Sequence, residues 1–127
     1  MKPYQPDFSI EKAVQQELPY MMTMREHFHA HPELSGKEYH TCQRIVEELH
    51  KAGIEDVRTI AETGVTGLIR GALPGPVLLL RADIDALPLT EQYQCPYSSQ
   101  TPGVMHACGH DGHAANLLGV ARILQAH

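Results

Sequence analysis

A chain of 127 residues with 43% apolar side chains is long enough to bury one core. Its 15 acidic against 10 basic residues, a formal net charge of −5, argue against a nucleic-acid or anionic-membrane surface, both of which call for basic patches. No stretch approaches a membrane-spanning length, no apolar run follows Met1 to Asp7, and Cys42, Cys95 and Cys108 lack framework spacing, so a reducing, cytoplasmic setting is expected.

In chain order, Asp7 or Ser9 is placed to cap a helical segment through Ile10, Ala13, Val14 and Leu18. Pro19 either starts a second helix or kinks one long helix, whose register continues through Met22, Met24 and Phe28. Met21, Met22 and Met24 read as core filling in preference to an adaptable binding face. Pro32 disfavours the α conformation at His31, so the helix should end there and leave His29 or His31 at a bend, as surface or hydrogen-bonded imidazoles more readily than as ligands.

Ser35-Gly36-Lys37-Glu38 has the spacing of a capping box, and the helix after it should bury Tyr39, Cys42, Ile45, Val46, Leu49 and Ala52. Glu47 and Glu48 should face water, and Gly53 supplies a left-handed stop. Cys42 reads as a small core residue. Two short strands are expected over residues 57–61 and 66–71, broken at Thr63-Gly64. Leu73-Pro74-Gly75-Pro76 is a turn. Val77-Leu78-Leu79-Leu80, with no polar face, then reads as a strand covered on both sides in a parallel or mixed α/β sheet.

Asp83 and Asp85 follow that run. Acids at a strand end either cap a turn or, because ligands gather at carboxyl ends of strands in open α/β sheets, take part in chemistry. The loop from Tyr93 to Pro102 carries no recognisable chemistry, and Cys95 within it reads as an incidental thiol.

The densest chemistry is His106-Ala107-Cys108-Gly109-His110-Asp111-Gly112-His113: three imidazoles, a thiol and a carboxylate spaced by Gly and Ala, which leave the backbone free to turn tightly. Thiolate and imidazole are the usual ligands of zinc and related divalent metals, and Cys108 and His110 can point into one cavity. The alternative is a His-rich turn that holds no metal. Ala114, Leu117, Leu118, Val120, Ala121 and Leu124 repeat at helical spacing, so the turn should feed a helix that Asp111 caps. That helix's N-terminal partial charge would favour thiolate at Cys108.

This octapeptide resembles the signature of the bacterial and plant amidohydrolases of the M20 metallopeptidase group, which include hippurate hydrolases, N-acyl-amino-acid amidohydrolases and auxin-conjugate hydrolases. Phe28-His29-Ala30-His31-Pro32-Glu33-Leu34-Ser35, Thr63-Gly64-Val65 with Gly67, and Leu80-Arg81-Ala82-Asp83-Ile84-Asp85-Ala86-Leu87-Pro88 agree in order and spacing. The resemblance implies an α/β fold, the N-terminal part of a metallo-aminopeptidase-like catalytic domain with a partial mixed sheet and flanking helices over residues 1–127. It implies two divalent metal ions, with zinc, manganese, nickel and cobalt not distinguished, and Cys108 and His110 among their ligands.

In the wider group a His-x-Asp pair stands where this chain has Asp83-Ile84-Asp85. Asp85 thus keeps the position that orients a ligand, while Asp83 replaces a ligand and its role stays open, as do those of His29, His31, His106 and His113. A Glu-Glu pair with the general base, further His ligands and an inserted lid or dimerisation domain are implied beyond His127, so the chain is expected to be an N-terminal fragment, inactive alone. The parent activity implied is metal-dependent hydrolysis of N-acyl amino acids or similar small amides. The rivals are a peptidase or dipeptidase of the same group, and a non-catalytic truncated product that folds and self-associates. Unpaired strand edges and uncovered apolar side chains around Val77 to Leu80, or on the helix with Leu117, Leu118 and Leu124, lead to an expected homo-oligomer.

Overall fold

Helix α1 (Ile10–Ala30) is the longest element of the chain, whose computed structural model describes residues 8–127. Ser9 caps it, its Oγ accepting from the Lys12 amide at 3.4 Å, while Asp7, the other candidate cap, lies outside the described residues. Pro19 sits inside this single helix and neither starts nor divides it. The helix stops at Ala30 with His31 as its cap, where Pro32 requires it to stop.

The buried face of α1 differs from the expected one. Ala13, Met24 and Phe28 are buried, whereas Ile10, Val14, Leu18 and Met22 are exposed. The reason is the helix that packs against α1. Helix α3 (His110–Ala126) presents Ala114, Ala115 and Gly119, all buried, and these small side chains let the two helices approach closely. At Gly119 an added β-carbon would collide with the Met21 side chain. The contact therefore falls on the Met21, Met24 and Phe28 side of α1, and of the three methionines Met22 is not core.

Helix α2 (Tyr39–Lys51) forms where expected but without the capping box. Glu38 is its N-cap and makes no capping bond; its buried carboxylate instead accepts from Thr63 Oγ1 at 2.8 Å. Glu33 does the capping from the preceding turn, accepting from the Thr41 amide at 2.6 Å, Thr41 Oγ1 at 2.7 Å and the His40 amide at 3.2 Å. Burial alone would raise the Glu33 pKa, but these bonds outweigh it and hold the carboxyl below its ordinary range.

Cys42 and Leu49 are buried as expected, and Tyr39 is half exposed. Glu48 is buried and does not face water. It is held by Tyr20 at 3.0 Å, Lys51 at 2.9 Å and Arg44 at 3.0 Å. Gly53, at φ +86°, ends the helix as its sequence position requires.

Strands β1 (Val57–Ile60) and β2 (Gly64–Gly67) form an antiparallel hairpin with Val57 opposite Gly67 and Ile60 opposite Gly64. The second strand starts earlier than expected, because Ala61 and Glu62 take positive φ (47° and 68°) and complete the turn before Gly64. Between β2 and α3 the backbone is extended or looped.

Val77 to Leu80 is the largest departure from expectation. These four residues form no strand and are 90%, 78%, 84% and 45% exposed. A strand apolar on both faces needs ladders on both sides and layers above and below, and no strand pairs with this run among the described residues. The α/β class holds, as helices around a two-stranded antiparallel sheet, with a single parallel bridge from Leu34 to Ala86. The core is Met24, Phe28, Leu49, Ile54, Ala114, Ala115 and Leu118. On α3, Val120 and Leu124 fall on the exposed side.

Candidate metal centre

The turn that carries the ligand candidates is fixed from both ends. Gly109, at φ +87°, is the N-cap of α3, a left-handed position that an L side chain enters only with strain. Its carbonyl accepts the amides of Gly112 and His113 at 3.1 Å. Asp111, expected as the cap, is instead buried, with its carboxylate 2.8 Å from His29 Nδ1 and 3.0 Å from Arg25 Nε. On the other side, the Ala86 amide donates to the Glu33 carbonyl at 2.8 Å, and Leu87 and Met105 exchange two backbone bonds of 3.0 Å.

These bridges bring all four residues selected from the sequence to one place. His110 Nδ1 lies 2.9 Å from both the carboxylate and the backbone carbonyl of Asp85. Both neighbours only accept, so Nδ1 carries the proton and Nε2 keeps its lone pair, the tautomer in which an imidazole binds a metal. Asp83 Oδ2 stands 3.9 Å from that Nε2 and is also paired with Arg81. The Cys108 thiol is exposed and 4.0 Å from the Asp85 carbonyl. The donor chemistry of Cys108 and His110 suits zinc and its neighbours. Among the described residues, no group of three or more His, Cys, Asp or Glu side chains is arranged to hold a metal ion.

The remaining histidines divide sharply. His106 is 4% exposed with neither ring nitrogen hydrogen-bonded. Burial, reinforced by the nearby His29 and His110 against Asp111 and Asp85, lowers its pKa. His113 is exposed, its ring centroid 5.7 Å from that of His110. His31 is exposed at the end of α1.

His29, in the last turn of α1 beside the bend at His31, is the hydrogen-bonded alternative and not a surface residue. It is buried between two carboxylates, Asp111 and Glu91, each at 2.8 Å. Sequence reasoning missed Glu91 and Arg25. Hydrogen bonds from His29 and from the Ser99 amide, the latter at 2.6 Å, keep the Glu91 carboxyl below its ordinary range. Arg25 also lies 5.1 Å above the Tyr97 ring. No local pattern marks these partners: Glu91 stands 62 positions from His29, and Arg25 stands 86 from Asp111 (111 − 25).

Known proteins are similar to this chain over most of its length. Residues 79–127 match Peptidase family M20/M25/M40. An N-acyl-L-amino acid amidohydrolase of Geobacillus stearothermophilus is 47% identical over 103 residues, covering 81% of this chain and 28% of that protein. Thermostable carboxypeptidase 1 of Saccharolobus solfataricus is 46% identical over 106 residues, covering 83% of this chain and 27% of that protein. A crystal structure of a dinuclear metal-binding peptidase of the M20 family from Bacillus subtilis superposes with a TM-score of 0.83 at 41% identity, over 88% of this chain and 32% of that one. The chain spans roughly a quarter to a third of the length of these relatives. With the ordered motifs and the shared fold, these matches show that the chain is similar, over most of its own length, to part of the M20 family peptidases.

Proposed function

We propose that these 127 residues form one part of a metal-dependent catalytic domain that hydrolyses the amide bond of N-acyl amino acids or similar small amides. The observation that carries this reading is the pair His110 and Asp85 at 2.9 Å beside the Cys108 thiol. Cys108 and His110 would hold a divalent ion, which when bound polarises a carbonyl and lowers the pKa of a water. Asp85 is the positioning residue, accepting from His110 Nδ1 and keeping Nε2 free of a proton. Asp83, whose Oδ2 stands 3.9 Å from His110 Nε2, is the second carboxylate that could take part in the chemistry there. The dinuclear relative supports two ions per complete site. The reading does not distinguish zinc, manganese, nickel and cobalt, although a thiolate–imidazole pair by itself suits zinc better than manganese.

Two protein ligands fall short of the three that a catalytic zinc site uses, so the isolated chain should show no turnover. A cytoplasmic, homo-oligomeric protein is part of the same reading, and no helix among the described residues is long and apolar enough to cross a membrane. Similarity to a carboxypeptidase gives the second reading, hydrolysis of peptide bonds.

The test is a chimera in which this chain replaces the matched segment of the Geobacillus amidohydrolase, assayed on acetyl and benzoyl amino acids and on dipeptides. Folded chimera that hydrolyses acyl amino acids and is silenced by Cys108→Ala or His110→Ala supports the proposal. Activity that survives both substitutions sinks it, and turnover of dipeptides alone favours the second reading.

A further inference from the structure

A second group of imidazoles lies away from the residues just described. His27 and His31 are four residues apart at the end of α1, their ring centroids 4.6 Å apart and inclined by 32°. Both line a cavity of about 360 Å³, together with Phe28, Pro32, Glu33 and His40. It shares no residue with Cys108, His110, Asp83 or Asp85.

Hydrogen bonding fixes what these rings offer. His31 Nδ1 lies 2.8 Å from the His27 carbonyl, which can only accept, so the proton sits on Nδ1 and the Nε2 lone pair is free. His40 Nδ1 stands 3.1 Å from Glu33 Oε2 and is set in the same way. An imidazole that donates one N–H to a carbonyl or carboxylate and keeps the other nitrogen bare is the usual form of a metal-ligating histidine. Glu33 is already committed to Thr41 and His40, so it supplies negative charge more than a ligand oxygen. His27 is disposed to stay neutral: partial burial, then the charge of Arg44 and of His31 itself, lowers its pKa. Two neighbouring imidazoles at helical i, i+4 spacing favour a late transition-metal cation over calcium or magnesium, which prefer oxygen ligands.

We infer that His27 and His31 form a separate two-imidazole site for a late divalent transition metal such as nickel or copper. Water completes the coordination, and the His40 ring, 89% exposed and bonded to Glu33, borders the same cavity. The inference is independent of the amidohydrolase reading, since it needs neither Cys108 nor His110.

The experiment is titration with Ni²⁺ of the chain carrying Cys108→Ala and His110→Ala, which removes the first candidate site. One equivalent of Ni²⁺ is expected to bind still, and His31→Ala added to that background should weaken binding by about tenfold or more. Substoichiometric Cu²⁺ should broaden the NMR ring signals of His27 and His31 before those of His50, His106 and His113. His31→Ala lies at an exposed cap and leaves the fold intact, with His27→Gln as the second variant. Loss of Ni²⁺ binding in the Cys108/His110 double variant, unchanged affinity in His31→Ala, or broadening that begins at other histidines would overturn the inference.

Discussion

His29 Nδ1 lies 2.8 Å from Asp111 Oδ2, joining two residues 82 positions apart, both of them buried. The bond ties the last turn of α1 to the first turn of α3, one residue beyond His110. Because Arg25 and Glu91 close the same network, each buried charge has a partner.

Removing either member breaks a buried bond that Arg25, Glu91 and the Ser99 amide only partly replace, a loss of roughly 1–3 kcal/mol. His29→Ala and Asp111→Asn should each lower stability by that order in urea unfolding. Arg25→Ala should cost less, since the Arg25 side chain is 40% exposed and water can replace it. Equal, small effects in all three would mean that the network does not hold the two helices together.

Gly109→Ala should destabilise by about 1–2 kcal/mol, the cost of an L side chain at left-handed φ. The converse is expected at Glu62, whose φ is +68° in the hairpin turn. Glu62→Gly should be neutral to stabilising there, whereas a glycine introduced elsewhere on an ordered backbone costs roughly 0.5–1 kcal/mol. Thermal unfolding of the two variants in parallel checks both signs.

Stability should fall on acidification in two stages. His106 and His27 have pKa values below their ordinary 6.5, so under about that pH the unfolded chain takes up protons that the folded chain refuses. Stability is therefore lost as pH drops from 6.5 toward the folded values. Glu33, Glu48 and Glu91 are held below their ordinary 4.5, so their contribution is present above that pH and lost as pH falls through their folded values. His106→Leu should flatten the first stage in urea midpoints measured from pH 8 to pH 5; an unchanged slope would contradict this.

The exposed run Val77 to Leu80, with Val120 and Leu124 exposed on α3, favours association. Light scattering over a dilution series should show a mass above that of the 14.1 kDa chain, falling toward it in Leu79→Lys. A monomer at every concentration would remove self-association from the account.

How much of this was legible in the sequence depended on the range of the interaction involved. Gly53 and the His31-Pro32 helix stop act through local backbone conformation, and both stand where the chain pattern puts them. The stripe on α1 failed because periodicity records which residues share a face, but not which face a neighbour covers; Gly119 and Ala115 on α3 decided that. Ser35 and Glu38 have capping spacing, yet Thr63 and Glu33 offered better partners from further away. Val77 to Leu80 reads as a central strand, but a strand is made by its neighbours. Within the candidate centre, local composition singled out Cys108 and His110, and the family resemblance added Asp85 and Asp83. Glu91 and Arg25 came only from tertiary packing.

The central claim, that Cys108 and His110 hold a divalent ion together, is tested most directly by Co²⁺ absorption spectroscopy. A thiolate on cobalt gives a near-ultraviolet charge-transfer band that imidazoles and carboxylates alone do not, so binding at His27 and His31 leaves it silent. The account predicts a weak, easily stripped thiolate band that disappears in Cys108→Ala and is diminished in His110→Ala and Asp85→Ala, while Cys95→Ala leaves it unchanged. A band that persists without Cys108, or no band at any Co²⁺ concentration that leaves the chain folded, would contradict it.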